Sequence, residues 1–119
     1  LKILGDGSQF KSYFHINDCI RAMIMLSEKI TKNEIKGFFP INLGTEEGIS
    51  IKDSANIIIT ELGFKTKLFF TGGRQGWIGD NPVIQLDISK AKKLGWEPNY
   101  SIERSIRNTA KWVYENLSN

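Results

Sequence analysis

Cysteine and histidine each occur once in the 119 residues, as Cys19 and His15. One cysteine cannot close an internal disulfide or build a thiolate metal cluster. One histidine and one cysteine also leave no nucleophile–base–orienter set and no metal constellation. The lone thiol favours a reducing compartment, and a cytoplasmic location is expected. No apolar run approaches the roughly 18 residues of a membrane span. Charge of one sign is scarce too: the net charge of +3 is spread over lysines and arginines interleaved with acids. Lys90, Lys92 and Lys93 come nearest to a patch, and without a basic stripe or stacking aromatics nucleic acid is an unsuitable partner. A mild positive excess suits a small anionic ligand or simply a solvated surface.

What is present is the balance of an ordinary folded domain, with 40% hydrophobic and 24% charged residues. A chain of this size buries roughly 65% of its unfolded surface, enough for one core over residues 1–119. Leu1–Leu4 and Phe10–Phe14 flank Gly5-Asp6-Gly7-Ser8 and predict a hairpin. Asn17 is expected to cap a helix to about Ile30, with Asp18 in its first turn. Ile20, Met23, Ile24, Ser27 and Ile30 recur at helical spacing, yet Ala22, Met25 and Leu26 add apolar surface elsewhere. Such a helix expects burial on two sides.

Phe38–Asn42 reads as a strand, held to an edge by Pro40. Ser50 and Asp53 form a capping box ahead of Ile51, Ala55, Ile58, Ile59 and Leu62, and Gly63 stops that helix. Lys67–Thr71 and Val83–Leu86 read as strands. Asp87 is expected to cap a brief helix ending near Leu94. Ser101 is expected to cap a last one, with Ile102, Ile106, Ala110, Val113 and Leu117 on one face. Strands alternate with about four helices, which predicts an α/β fold with α+β character.

Gly73, Gly76 and Gly79 have the spacing of a dinucleotide loop, but such a loop must open into a helix. Here Asp80-Asn81-Pro82 follows, and bulky Trp77 stands where backbone must approach a pyrophosphate. The Rossmann glycine loop is therefore absent. The same stretch suits an anion clamp: glycines frame Arg74, whose guanidinium can grip a phosphate with two bonds. Asp80 could orient Arg74 or accept ribose hydroxyls, and an exposed Arg74–Asp80 ion pair is the plain alternative. Alternation along the second hairpin strand sets Lys11, Tyr13 and His15 on one face, which suits a polar anion. His15 has an alternative as well, satisfying backbone near the helix start.

Four motifs in order carry a family resemblance. The run GDGSQFKSYFHIND from Gly5 to Asp18 resembles the DG…RDY-hydrophobic-HVxD segment of extended short-chain dehydrogenases. FPINLG at Phe39–Gly44 matches their xNxG strand and turn. GGRQGWIGD at Gly72–Asp80 is similar to their R-x-G-D element with a Trp-x-Gly insertion. LDISKAKKLGWEP at Leu86–Pro98 is similar to DxSKAxxxLGWxP.

The resemblance implies the C-terminal, substrate-binding portion of an NAD-dependent nucleotide-sugar epimerase or dehydratase, UDP-glucose 4-epimerase-like in first place. A 4,6-dehydratase or decarboxylase is the alternative, and a non-catalytic binding or assembly module is the alternative from another class. It implies diphosphate contacts at Arg74 and Lys11, with Tyr13 beside them and Asp80 on the ribose. Lys11 departs from the usual Arg and keeps charge without the planar fork. Ser12 replaces the usual Asp. A UDP-sugar is the expected ligand.

The family also binds NAD(P) through an N-terminal glycine loop and works with Tyr-x-x-x-Lys. The residues four after Tyr13, Tyr100 and Tyr114 are Asn17, Arg104 and Ser118. This chain is therefore expected to hold no cofactor and no catalytic residue, and to be inactive alone. Leu1 in place of an initiator Met, and the over-apolar first helix, predict a piece of a longer protein. In that protein Asn17–Asn42 would complete a dinucleotide-binding sheet. A homodimer through the exposed apolar faces is a further expectation.

Overall fold

The computed structural model describes residues 1–81 and 83–117. In chain order the elements are β1 (Lys2–Ile3), β2 (Phe10–Lys11), α1 (Ile16–Thr31), β3 (Ile49–Ser50), α2 (Ile51–Glu61), β4 (Phe69–Phe70), α3 (Ser89–Lys93) and α4 (Ile102–Leu117). The mixed fold is the one expected, with four helices and two small sheets among the described residues.

The expected hairpin does not form. β1 pairs in parallel with β4 (Lys2 opposite Phe69), and β2 pairs antiparallel with β3 (Lys11 opposite Ile49). The cause lies in the segment between β1 and β2, whose backbone groups bond to distant partners. Gly5 N–H donates to Thr71 Oγ1 at 2.8 Å and Asp6 N–H to the Gly73 carbonyl at 2.8 Å. The Gly7 and Gln9 carbonyls accept from Lys52 and Ile51 N–H, each at 3.0 Å, at the start of α2. An isolated two-stranded ribbon is marginal in water, so both strands do better elsewhere.

Phe38–Asn42 forms no strand, because no other strand runs beside it to complete a ladder. Phe38 is 94% exposed, while Ile41 and Leu43 turn onto the core. Of Val83–Leu86, only Val83 pairs, in a single bridge to Phe10.

The core is built on Trp96, fully buried against Ala22, Ala91 and Ile88. Phe14 meets its edge at 6.4 Å between ring centroids. A ring this large needs small neighbours, so α1 turns its Ala22 side inward. Ile20, Met23, Ile24 and Ile30 are left between 46% and 60% exposed. One of the two apolar sides read from sequence is therefore packed and the other bare. The radius of gyration, 17.2 Å, exceeds the about 13.5 Å of a compact chain this long, as bare faces require.

His15 rather than Asn17 is the N-cap of α1: its Nδ1 accepts from Asn17 N–H at 3.1 Å. Ser50 caps α2, with Asp53 N–H donating to its Oγ at 3.0 Å and its hydroxyl 2.6 Å from Asp53 Oδ2. Ile88, not Asp87, is the N-cap of α3, though Asp87 Oδ1 still accepts from Ser89 N–H at 2.8 Å. Ser101 Oγ accepts from Arg104 N–H at 3.3 Å at the start of α4. α4 packs on α2 through buried Ile102, Ser105 and Ile106.

Candidate functional site

Two loops meet beside the small sheets, and their junction is a groove that brings together two of the sequence-predicted residues, Lys11 and Asp80. Its base is fixed by backbone: Gly72 N–H donates to the Gly5 carbonyl at 3.0 Å, opposite the Asp6–Gly73 bond. Gly5 has φ +87°, and a Cβ there would lie 2.0 Å from Gln9 Nε2, so only glycine lets the loops close this tightly. No helix follows Gly79; the chain runs through a turn, as the reading against a dinucleotide loop requires.

The groove encloses ≈330 Å³ and is lined by Leu4, Gln9, Lys11, Gly76, Trp77 and Asp80, among others. Lys11 enters from the end of β2, and Asp80 from the far end of the glycine-rich loop. Their side chains form an ion pair at 2.7 Å. Lys11 Nζ also donates to the Asn81 carbonyl, and Asp80 Oδ2 accepts from Gly76 N–H at 3.1 Å. The Lys11 bond, then that backbone N–H, holds the Asp80 carboxyl below its ordinary range. The pair fixes the loop over the groove and sets a charge of each sign at its rim.

Tyr13 stands within electrostatic reach. Burial pushes its phenol above the ordinary value, with Lys11 opposing and Asp80 adding to the rise. Its ring also lines an adjoining cavity of ≈290 Å³ with Ile58 and Ile106. Arg74 lies on the loop that supplies Gly76, Trp77 and Asp80, exposed and outside the groove lining. Among the described residues it has no ion pair, so the alternative of an Arg74–Asp80 pair is not the one formed, and Asp80 pairs with Lys11. Its charge reaches Asp6, lowering that carboxyl slightly beyond what the Ser8 bonds achieve.

His15 does not join Lys11 and Tyr13, because β2 ends at Lys11 and alternation ends with it. It caps α1 and stacks on Tyr100 at 4.2 Å, the structural role open to it from the sequence.

Gln9 and Trp77 belong to the groove but were not singled out from the sequence. Trp77 was weighed only as an obstacle to a dinucleotide loop.

A larger hollow of ≈430 Å³ runs along α1 beside Ile20 and Ile24, and it is the bare apolar face described above rather than a polar site. No helix among the described residues is long and apolar enough to cross a membrane.

No protein-family model matches the chain. A UDP-glucuronate 4-epimerase of Thermodesulfobacterium geofontis is 35% identical over 98% of this chain and 34% of its own length. Among solved structures, a UDP-glucose 4-epimerase of Thermotoga maritima with UDP-glucose superposes with a TM-score of 0.80 at 28% identity. That match covers 98% of this chain and 35% of the other. A UDP-glucuronic acid 4-epimerase of Bacillus cereus, in complex with UDP-glucuronic acid and NAD, gives 0.68 at 27% identity, over 96% and 36%. The chain spans about a third of the length of the curated relatives it matches. Its homologues and structural neighbours are therefore nucleotide-sugar epimerases and dehydratases of the extended short-chain dehydrogenase type, and it corresponds to the C-terminal portion of that fold.

Proposed function

We propose that this chain is the nucleotide-sugar-binding portion of an NAD-dependent nucleotide-sugar 4-epimerase, gripping the nucleoside diphosphate with Lys11, Tyr13, Arg74 and Asp80. The observation that carries the reading is the meeting of Lys11 and Asp80, 69 residues apart, at the rim of one groove. It is supported by relatives and neighbours that are UDP-sugar epimerases, one of them solved with UDP-glucose. Arg74 supplies a cation that no described carboxylate pairs with, on the loop closing that groove. A guanidinium with two bonds to a diphosphate contributes about 1.5–3 kcal/mol, roughly ten- to a hundredfold in affinity. Asp80, held ionised by Lys11, can accept from ribose hydroxyls.

The residues here do not fit NAD itself. The glycine-spaced loop leads into a turn instead of a helix, and no Tyr-x-x-x-Lys pair occurs in the sequence. The nicotinamide and the hydride chemistry are assigned to a dinucleotide-binding half outside this chain. We assign the bare side of α1, with Phe38 and Phe39, as the surface that half covers, so that residues 17–42 complete its sheet. Large apolar side chains left exposed in this way mark a contact face.

Isothermal titration of UDP-glucose and a GDP-sugar against wild type and Arg74→Ala tests the grip. The expected loss on Arg74→Ala is tenfold or more, and an unchanged dissociation constant would refute the assignment.

A further inference from the structure

Gln9 is hidden where the segment between β1 and β2 meets the glycine-rich loop. It is 2% exposed, and its amide lies between two glycine backbones, one from each side. A Cβ on Gly5 would stand 2.0 Å from Gln9 Nε2, and a Cβ on Gly76 would stand 3.3 Å from the same nitrogen. The thickness of one amide therefore sets how closely the two loops approach. The backbone of Gln9 is itself tied down, since its carbonyl accepts from Ile51 N–H at 3.0 Å.

The hydrogen bonding of this amide favours position over stability. Its Nε2 donates to the Leu4 carbonyl at 3.0 Å, while its Oε1 is buried with no hydrogen-bond partner among the described residues. Turning the amide over would set Oε1 against the Leu4 carbonyl, acceptor against acceptor, so the orientation is fixed. A buried acceptor without a donor is destabilising, and a methionine of similar reach would fill the space without one. What methionine lacks is the N–H that fastens the tip of the side chain to Leu4.

The spacing matters because each side carries a cation. Lys11 follows Gln9 by two residues on one side, and Arg74 precedes Gly76 by two on the other. Gly76 N–H also donates to Asp80 Oδ2 at 3.1 Å, and Asp80 Oδ1 meets Lys11 Nζ at 2.7 Å. A ligand gripped from both sides needs the two sides at one separation. Where the loop keeps that place only part of the time, apparent affinity falls by that fraction.

We propose that Gln9 is a positioning residue of the diphosphate grip, a tethered spacer that holds Arg74 and its loop at a set distance from Lys11. The inference rests on the nucleotide-sugar reading above and adds a residue that touches no ligand itself.

The test measures UDP binding by calorimetry to wild type, Gln9→Ala, Gln9→Met, Arg74→Ala and the Gln9→Ala/Arg74→Ala double variant, with thermal melts confirming folding. Gln9→Ala should weaken UDP by roughly three- to tenfold, the effect of a loop in place a third to a tenth of the time. Gln9→Met should weaken it by less, about two- to fivefold, since it fills the space but loses the tether. In the Arg74→Ala background the Gln9→Ala loss should shrink to about twofold or less, because residues that act through one contact are not additive. Hydrogen exchange without ligand supplies a second readout. Gly76 N–H should exchange faster in both Gln9 variants, while Ile51 and Lys52 N–H at the start of α2 keep their protection. A wild type that binds UDP no better than the Gln9 variants would sink the spacer and leave the grip standing. An equal Gln9→Ala loss with and without Arg74, or protection lost at Ile51 and Lys52 as much as at Gly76, would show a general structural role and also overturn it. If the wild type binds no UDP, the grip falls and this role falls with it. Gln9→Met keeps the side-chain volume, so it decides the matter even if Gln9→Ala folds poorly.

Discussion

Asp18 is the carboxylate whose removal should damage this fold most. It is 1% exposed, in the first turn of α1, and it faces the segment that leads into α4. Its oxygens accept from Asn99 N–H at 3.1 Å, Tyr100 N–H at 3.2 Å and Arg21 Nη2 at 2.9 Å. Asp18→Ala would strip two backbone N–H groups of their acceptor, at about 1–3 kcal/mol each, or about 2–6 kcal/mol together. Arg21 remains partly solvated and adds little. Set against the 5–15 kcal/mol typical of a domain, that is a large fraction.

With a urea slope of about 2 kcal/mol/M, the denaturation midpoint should fall by about 1–3 M. Asp18→Asn keeps one acceptor and should lose about half as much. Burial disfavours the Asp18 anion, but the Arg21 bond and the two backbone N–H groups outweigh it and depress its pKa. A depressed folded value means the stabilisation is complete above the unfolded value of about 3.9 and fades as pH falls through the folded one. The gap between wild type and Asp18→Asn should therefore narrow only in that acid window. A loss under about 0.5 kcal/mol for Asp18→Ala at neutral pH would refute the reasoning.

Other substitutions probe neighbouring parts. Trp96→Ala should cost about 3–5 kcal/mol, because a fully buried ring against Ala22 and Ala91 leaves a cavity they cannot fill. Trp96→Phe should cost less, including about 1–3 kcal/mol for the Asp18 carbonyl left without the Nε1 donor at 3.1 Å; chemical denaturation measures both. Lys11→Met should raise the Asp80 pKa toward its ordinary value, since the Lys11 bond is the largest cause of its depression. An NMR titration of the Asp80 carboxyl that shows no movement would contradict the ion pair.

The helices were legible because their signals are local. Ser50 with Asp53, and Ser101 ahead of Ile102, are caps whose partners lie within one turn. Leu1–Leu4, Phe10–Phe14 and Lys67–Thr71 do contain β1, β2 and β4, but which strand pairs with which was not legible, because pairing is decided far away. Phe10 meets Ser50 and Lys2 meets Phe69, and nothing within Leu1–Phe14 records that preference over a hairpin. The side of α1 that packs was hidden for the same reason, since only Trp96, 74 residues beyond Ala22, makes a small residue the right one to bury.

At the site, Lys11 and Asp80 line one groove and Arg74 lies on its loop, while Tyr13 lines the adjoining cavity; the partner of Asp80, left open by the sequence, is Lys11. Arg74 and Asp80 lie six apart and invited pairing by proximity. Lys11 took Asp80 instead because the Gly5–Gly72 backbone bond draws β2's end against the loop. Gln9 could not be found from sequence, because an unpaired oxygen is a property of packing alone.

Mapping amide chemical-shift changes while UDP is titrated into the protein tests the central claim most directly. The account predicts that the largest shifts fall on Lys11, Tyr13 and the Gly73–Asp80 loop, and that they are lost in Arg74→Ala. Shifts confined to the bare side of α1 or to the far end of α4, with that loop silent, would contradict it.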